Sequence, residues 1–314
     1  MDSKKYYEIR ANFQNNYFKN VKPNLANFEE KRKQFIKQSK ITSFVVYFIA
    51  IIIIYLIYAF FPQSEYWIVY LPIGLSTFAL AFGIGFAIKN CNEYKLEQEI
   101  KRKIMPDLCK CFENLTWCKD SIDNPAEFFE SNLVDYYNSS IFDDIFKGKY
   151  NNIDFKIIES ELIHISGSGE NKNRARVFRG TIIKLSMNES FKSQTIIRPK
   201  AIFKTPIQNL KTTELEDIVF SKKYDVYTDD EIESRVILTT GLMNKLNEIE
   251  NKFNIKKINV AFYKNNLYIA LHSKRDMFKI CSLRENIDNP KNFSKFFEEI
   301  FTIYGLIDYL KLIQ

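Results

Sequence analysis

Residues 41–61 have the sequence ITSFVVYFIAIIIIYLIYAFF, and residues 67–88 have the sequence WIVYLPIGLSTFALAFGIGFAI. Neither segment contains Asp, Glu, Lys, Arg or His, and the short turn 62–65 connects them. Helices of 21 and 22 residues, rising about 1.5 Å per residue, are long enough to cross the roughly 30 Å hydrocarbon layer of a bilayer. A backbone in lipid must satisfy its own polar groups, so we predict two transmembrane helices that form a hairpin. A buried hairpin in a soluble core is the alternative.

Basic residues flank the two apolar segments only at the end of the hairpin that lies away from the connecting turn. Residues 31–40 contain five Lys or Arg, and residues 89–103 contain another five, whereas the turn 62–65 contains none. Positively charged flanks remain on the cytoplasmic side of a membrane. We therefore expect a multi-pass membrane protein with both termini in the cytoplasm.

The positive charge is concentrated near the N-terminus. The net charge is +6 over residues 1–40, −1 over residues 41–88 and +2 over residues 89–314, which gives +7 for the 314-residue chain. A basic arm beside a membrane is attracted to the anionic inner leaflet by roughly 1 kcal/mol per nearby Lys or Arg. Because the large C-terminal region has almost no basic surplus, we expect lipid and not nucleic acid as the partner of these charges.

Two amphipathic segments adjoin the predicted hairpin. Leu96, Ile100, Ile104 and Leu108 recur every four residues, which predicts a helical stalk with one apolar face. That face is expected to pack on residues 24–40, or on a second copy of the chain. The aromatic residues of the N-terminal arm either lie on the membrane surface or pack on the cytoplasmic domain.

The remainder of the chain shows short alternating runs, which are typical of strands. Because these strands follow one another in adjacent runs, the predicted fold class is α+β, with a mostly antiparallel sheet packed with helices. Strands are predicted at residues 154–165, 176–187, 193–203, 218–221, 257–263 and 267–272, and helices after a capping box formed by Thr228 and Glu231, at 240–253 and at 292–312. The predicted regions are a basic helical arm (1–40), the hairpin (41–88, with spans 41–61 and 67–88), a helical stalk (89–124) and a cytoplasmic α+β domain (125–314).

Several stretches resemble a bacterial family known as domain of unknown function 3137. They are IFKGKY at 145–150 with Phe155 and ESEL at 159–162, LEDIVF at 215–220, YDVYTDDEIESRVILT at 224–239 and LYIAL at 267–271. The resemblance covers roughly residues 90–314 and implies a two-span, multi-pass protein of the bacterial inner (cell) membrane with a cytoplasmic α+β domain. The family is defined by pattern and not by activity, so the resemblance implies no catalytic residue. Where the family tends to have proline after the Leu-Thr pair, this chain has Thr240, which leaves the cap of the next helix open.

Motifs of established catalytic chemistry are absent from the sequence, which contains no GxxxxGK[ST], GxSxG, HExxH or GxGxxG. Two acidic clusters could bind a divalent cation or transfer protons, but a turn and a helix N-terminus explain them more simply. The histidines are better explained as structural residues at strand ends. We therefore assign no catalytic, cofactor-binding or metal-binding residue. The residues weighed were Asp143, Asp144, Asp229, Asp230, Glu231, His164 and His272.

The remaining candidate site residues are the cysteines and the basic residues of one predicted hairpin. Five cysteines in a reducing cytosol are expected to be thiols, and the spacing of Cys109, Cys111 and Cys118 is not the paired CxxC pattern of zinc sites. Cys91, beside the membrane, is either an ordinary interfacial residue or a palmitoylation site. Five basic residues on one hairpin either contact phosphates or form a solvated strand edge. They are Lys172, Arg174, Arg176, Arg179 and Lys184.

The function expected from these observations is anchoring of a cytoplasmic binding or scaffolding domain at the membrane. Its partner would be a protein or a lipid. Self-association through the apolar face of the stalk is the alternative to packing within one chain. An enzyme acting at the membrane face with an unrecognised site is the first alternative. An oligomeric channel or transporter subunit is the second, although pathways through membranes usually need ionisable residues in the spans.

Overall fold

The computed structural model describes residues 3–60, 67–112, 114–119, 124–201, 206–215, 217–255, 257–279 and 285–313. The predicted turn 62–65 and Cys281 lie outside these residues. The helices are α1 (Ser3–Asn16), α2 (Lys22–Phe60), α3 (Trp67–Cys109), α4 (Glu127–Glu130), α5 (Ile218–Lys223), α6 (Glu231–Ile237), α7 (Thr240–Phe253) and α8 (Pro290–Ile313), and a π-helical turn (Tyr17–Val21) separates α1 from α2. The strands are β1 (Thr116–Cys118), β2 (Ser139–Tyr150), β3 (Ile153–Ser166), β4 (Asn173–Ser186), β5 (Thr195–Pro199), β6 (Lys211–Thr213), β7 (Tyr224–Thr228), β8 (Ile258–Tyr263) and β9 (Asn266–His272).

The chain forms two compact units. The helical unit consists of Tyr17–Asp107 and Lys279–Asn292. The sheet unit consists of Met1–Asn16, Leu108–Phe278 and Phe293–Gln314.

Long helices α2 and α3 dominate the helical unit. Segments Lys4–Ile57 and Pro72–Cys109 are long and apolar enough to cross a membrane, and only 6% and 11% of the residues in their most apolar 18-residue windows are buried. A core helix of a soluble protein would bury its apolar side chains instead. The two apolar segments predicted from the sequence are therefore helical and are candidate membrane spans.

Small residues allow α2 and α3 to approach each other closely. Ala81 and Gly85 are buried, and a Cβ atom at Gly85 would lie 3.5 Å from Ser43 Oγ and 3.8 Å from Tyr47 Oη. A second line of small residues on α3, which includes Gly83, is exposed instead. Only the first line packs on the chain's own first span, as small residues do between membrane helices.

Polar contacts continue the packing of α2 and α3 beyond the apolar segments. Asn92 Nδ2 donates to Ser39 Oγ at 3.1 Å, and Lys31 forms an ion pair with Glu99. The predicted packing of the stalk on residues 24–40 is confirmed by these contacts. It occurs within one chain because a hairpin returns both segments to the same end.

One antiparallel sheet organises the sheet unit. Its nine strands, counted over the described residues, follow the order β1-β2-β3-β4-β9-β8-β5-β7-β6, and every neighbouring pair is antiparallel. Helices cover the sheet, and the predicted α+β fold class is confirmed. Side chains alternate between its two faces, so a strand such as β3 buries Ile157 on one face and Ile158 on the other.

The two faces of the sheet have different cores. One face buries Ile158 and Ile182 beside Phe128 of α4. On the other face, Tyr304 of α8 stacks on Tyr150 with ring centroids 4.0 Å apart. Aromatic pairs of this kind contribute about 0.5–1.5 kcal/mol beyond the area that they bury.

The N-terminal arm packs by its aromatic side chains within the sheet unit. Tyr6 Oη donates to Glu298 Oε1 at 2.8 Å, and the ring of Phe13 lies 5.1 Å from that of Phe297. Of the two interpretations of the arm, packing on the globular domain is the one seen for α1.

Helix α5 and the start of α6 correct two sequence predictions. Residues 218–221 are helical and not a strand, because Asp217 Oδ1 accepts from the backbone N–H groups of Val219 and Phe220 and begins a helix there. The cap of α6 is Asp230 and not Thr228, which ends strand β7 as a buried residue. Thr239 caps α7 by accepting from Leu242 N–H.

Four strands were missed by the sequence prediction, namely β1, β2, β6 and β7. The pair Asp143-Asp144 was expected at a turn before a strand, but it lies inside β2. Strand β2 carries Asp, Lys and Gly residues among its apolar positions, so its alternation is weak. It forms because β1 and β3 pair with it on both sides.

Candidate functional site

Four large apolar side chains are exposed on the two short helices α5 and α6 of the sheet unit. The exposed fractions of its side chains are 70% for Ile218, 67% for Val219, 78% for Ile232 and 66% for Val236. We call these four residues the α5–α6 surface. Single exposed apolar residues are ordinary, but a cluster beside a cavity is typical of an interaction site.

Local sequence rules place these four side chains outward. In α6 the residues Ile232 and Val236 are four apart and therefore lie on one face, while Ser234 and Ile237 are buried on the other. In α5, Phe220 fills the core, which leaves Ile218 and Val219 on the outside. The two helices are short and firmly capped, so the patch is held on an ordered backbone.

A cavity of about 420 Å³ lies where α5, α6 and α7 meet. Leu215 and Asp217 line it at the start of α5, Arg235 and Leu238 at the end of α6, and Met243 in α7. Because Asp217 adjoins Ile218 and Arg235 adjoins Val236 along the chain, the cavity opens beside the apolar patch. Its size is in the usual range for sites that accept a side chain or a small ligand.

Acidic residues outnumber basic ones in the stretch of chain that carries the α5–α6 surface. Residues 211–239 contain eight Asp or Glu and four Lys or Arg, a net charge of −4. Glu214, Asp229, Asp230 and Glu231 of this set are exposed. The stretch that carries the exposed apolar side chains is therefore net negative.

A β-bulge gathers a second group of carboxylates. The register of β2 against β3 shifts between Phe142 and Ile145, so Asp143 and Asp144 both lie opposite Glu159. Their ligand oxygens lie within 4.8 Å of one another. The sequence singled out the aspartate pair but missed Glu159, because a bulge leaves no clear trace in a strand's alternation.

Protein donors reach each carboxylate of this bulge. Trp117 Nε1 donates to Asp144 Oδ1 at 2.9 Å, Lys119 Nζ lies 3.9 Å from Asp143 Oδ1, and Met277 N–H donates to Glu159 Oε1 at 3.2 Å. Such donors offset the desolvation and mutual repulsion of the acids. We therefore interpret the bulge as a structural anchor of β1 and β2, and assign it no metal.

The two histidines occupy different environments. His272 Nε2 lies 3.3 Å from Asn259 Oδ1, and burial together with Lys257 and Arg198 lowers the pKa of this histidine. His164 packs with its ring against Tyr136. Neither histidine belongs to the carboxylate group of the bulge, and Asp229 accepts from Gln194 N–H elsewhere. The described contacts thus do not gather the acids and histidines that an enzyme interpretation would combine.

The basic hairpin divides into two parts. Arg174, Arg176 and Arg179 lie where β4 pairs with β3, before its pairing with β9 begins at Gly180. Arg176 Nε donates to Glu161 Oε1 at 2.6 Å. Lys184 lies in the middle of the sheet, where it forms an ion pair with Glu127 of α4. Four of the five charges therefore lie on a solvated part of the hairpin, and the fifth contributes to the fold.

The described cysteines form no disulfide with one another. Cys109 and Cys111 are buried, and Cys118 is half-buried in β1. Burial raises the pKa of the Cys109 thiol, as do the neighbouring Cys111 and Asp144. A thiol with a raised pKa is a poor nucleophile, so this cysteine is an unsuitable reactive centre.

A family model matches the C-terminal part of the chain. The described fold defines a class of protein in which an antiparallel α+β domain is joined to two candidate membrane helices. Residues 176–312 match the family described as protein of unknown function, DUF3137. This match confirms the family resemblance over those residues, which include the whole α5–α6 surface.

Other comparisons add little. The crystal structure of the mycobacterial trehalose monomycolate transport factor A, TtfA, is similar at 9% sequence identity and a TM-score of 0.34, over 62% of this chain and 86% of that chain. A similarity at this level supports no argument about fold or function. No curated protein matches the sequence.

Proposed function

We propose that this chain is a bacterial inner-membrane protein that anchors a cytoplasmic binding domain, with both termini in the cytoplasm. Support for the anchor comes from the two long apolar helices, whose side chains are almost entirely unburied. Support for the orientation comes from the basic residues that flank both helices at one end. The turn between them, only a few residues long, leaves almost no chain outside the membrane for recognition.

The α5–α6 surface supports a binding role most directly. It exposes four large apolar side chains beside a cavity on capped helices, at a place where a soluble domain gains nothing from exposing them. The partner that fits is a protein segment with apolar residues flanked by Lys or Arg. An anionic lipid surface fits poorly, because the net charge of −4 over residues 211–239 would be repelled.

Site-specific photocrosslinking in cells tests this proposal. A photoreactive phenylalanine analogue replaces Ile232 in the full-length chain, and the matched control carries it at Ile141, an exposed apolar residue of β2. We expect a discrete protein adduct from position 232 and none from position 141. Mass spectrometry of the adduct should show a contact segment with a net positive charge.

Charge reversal separates specific binding from non-specific adhesion. The double variant Glu214→Lys/Glu233→Lys retains the apolar residues but opposes a basic partner. We expect it to reduce the adduct at position 232 several-fold, since like charges at an interface cost binding energy. An acidic contact segment, or an adduct unchanged by charge reversal, would contradict the proposed partner chemistry.

A further inference from the structure

A cavity of about 450 Å³ is formed by α2 and α3 within the helical unit. Two exposed lysines, Lys40 and Lys89, line it together with Ser39, Ser43, Phe44 and Tyr47. The volume is within the range of sites for small ligands. The lining combines cations and hydroxyl groups with aromatic carbon, as a ligand with an anionic head and an apolar body would require.

The position of the cavity along the helices is as informative as its lining. Lys40 directly precedes the first apolar segment, and Lys89 directly follows the second. Both therefore lie at the same end of the hairpin, at the boundary between charged and apolar sequence. Phe44 and Tyr47 lie one to two turns further into the apolar segment. In a bilayer this boundary is the depth of the phosphate groups of the inner leaflet.

The protein does not itself neutralise the two lysines. Neither Lys40 nor Lys89 forms an ion pair within the described part of the chain, whereas Lys31 pairs with Glu99, and Lys279 pairs with Glu93. The sequence explains the difference, because no Asp or Glu occurs between Lys31 and Lys40 or between Lys89 and Asn92. Two lysines that border one cavity without an ion-pair partner make its surroundings positive, which favours an anionic ligand.

We propose that this cavity binds the phosphate of an anionic phospholipid of the inner leaflet. Lys40 and Lys89 contact the phosphate, the serine hydroxyl groups donate to its oxygens, and the aromatic rings contact the glycerol backbone and the upper part of an acyl chain. A free phosphate ion shares the head-group chemistry but leaves the aromatic wall without a partner. The inference rests on the proposed membrane anchoring and goes beyond a general attraction of basic residues to the leaflet, because it assigns one site.

Native mass spectrometry of the full-length chain in mild detergent tests the site. The probes are phosphatidylglycerol, phosphatidylcholine and inorganic phosphate. The test variant is Lys40→Gln/Lys89→Gln, and the matched control is Lys37→Gln/Lys95→Gln, which removes two exposed lysines from the same two helices outside the cavity. We expect wild type to retain phosphatidylglycerol in preference to phosphatidylcholine. The test variant should lose apparent affinity for phosphatidylglycerol by about tenfold or more, because two charge contacts are removed, and the control should lose less than about twofold.

Three results would overturn the assignment. Equal losses in the test and control variants would reduce it to general surface charge. Equal retention of the two lipids would remove the role of the head group, and displacement of phosphatidylglycerol by inorganic phosphate would assign the cavity to a free ion. Each of these results bears on the lipid site only if the chain is first recovered in the membrane pellet of lysed cells. Recovery of the chain in the supernatant of lysed cells would instead contradict the anchoring itself.

Discussion

Glu299 is a buried carboxyl group of the sheet unit whose surroundings disfavour its ionised form. Its side chain is almost completely buried in α8, and Lys295 Nζ lies 3.4 Å from Oε1 without the geometry of a hydrogen bond. Burial raises the pKa of Glu299 from 4.5 to about 7, against the opposing effect of Lys295 and Arg275. Desolvation of the carboxylate thus outweighs the attraction of two nearby cations.

A pH-dependent stability follows from this shift. Below pH 4.5 the carboxyl group is protonated in both folded and unfolded chains, so Glu299→Gln should have little effect there. Between pH 4.5 and about 7 the carboxyl group ionises in the unfolded chain but stays protonated in the folded chain, so wild type loses stability over this range that Glu299→Gln retains. Above about pH 7 the group is ionised in both states and the difference stays constant. The difference corresponds to about 3 kcal/mol at most above pH 7.

Thermal unfolding of the full-length chain in mild detergent, followed by circular dichroism at pH 5 and pH 8, measures this effect. The control is Glu248→Gln, which neutralises an exposed carboxyl group on α7. We expect the melting temperature of Glu299→Gln to exceed that of wild type at pH 8 more than at pH 5. The same change for both variants would mean that the pH effect does not originate at the buried carboxyl group.

At the scale of elements, the capping of α6 determines how the α5–α6 surface is presented. Asp230 Oδ1 accepts from Ile232 N–H at 2.9 Å and from Glu233 N–H at 3.1 Å. Glu231 lies in the first turn and contributes only through the helix dipole. Two adjacent acids therefore have unequal effects on the helix.

We expect Asp230→Ala to destabilise the protein by about 1 kcal/mol, because two backbone N–H groups lose their acceptor. This corresponds to a decrease of about 2–4 °C in melting temperature for a domain of this size. Glu231→Ala should change it by less than about half as much. If Glu231→Ala proved the more destabilising variant, the capping box that was predicted with Thr228 would describe the helix better than the cap seen in the structure.

At the scale of the whole molecule, the orientation of the hairpin can be tested directly. In intact spheroplasts a membrane-impermeant maleimide should label a cysteine introduced by Ser64→Cys, since the turn 62–65 is proposed to lie outside the cell. Cys91, which is exposed on α3 just after the second apolar segment, should be labelled only after permeabilisation. The unsubstituted chain is the control for the first result. Labelling of Cys91 in intact spheroplasts, or trimming of the C-terminal portion by added protease, would contradict both the orientation and the proposed function.

Elements with strong local signals were predictable. The prediction of a helix at residues 240–253 agrees with α7, and the predicted strands at 154–165 and 176–187 agree with β3 and β4 to within three residues. In each of these elements the apolar residues repeat with the period of the element that forms. Helix α5 was not predictable, because its first four residues, Ile-Val-Phe-Ser, favour a strand by their intrinsic preferences. The cap that Asp217 forms on the preceding side makes them helical instead.

Candidate sites were less accessible to sequence analysis than the elements that hold them. The acidic pair of β2 was noticed, but its partner Glu159 depends on a shift of register that only strand pairing creates. The four residues of the α5–α6 surface are apolar, and composition alone assigns apolar residues to the core. These residues are exposed because each short helix buries its opposite side, which carries Phe220 in α5 and Ser234 and Ile237 in α6.

The sequence by itself determined the two apolar helices, the basic flanks beside them and the α+β class of the remaining chain. It did so because uninterrupted apolar length, charge position and local periodicity are properties of neighbouring residues. Only the tertiary structure decided that Lys40 and Lys89 share one cavity, that three acids meet at a bulge and that four apolar side chains remain outside. These arrangements join residues that are far apart in the chain, and their geometry depends on packing and strand register, which no single stretch of sequence contains.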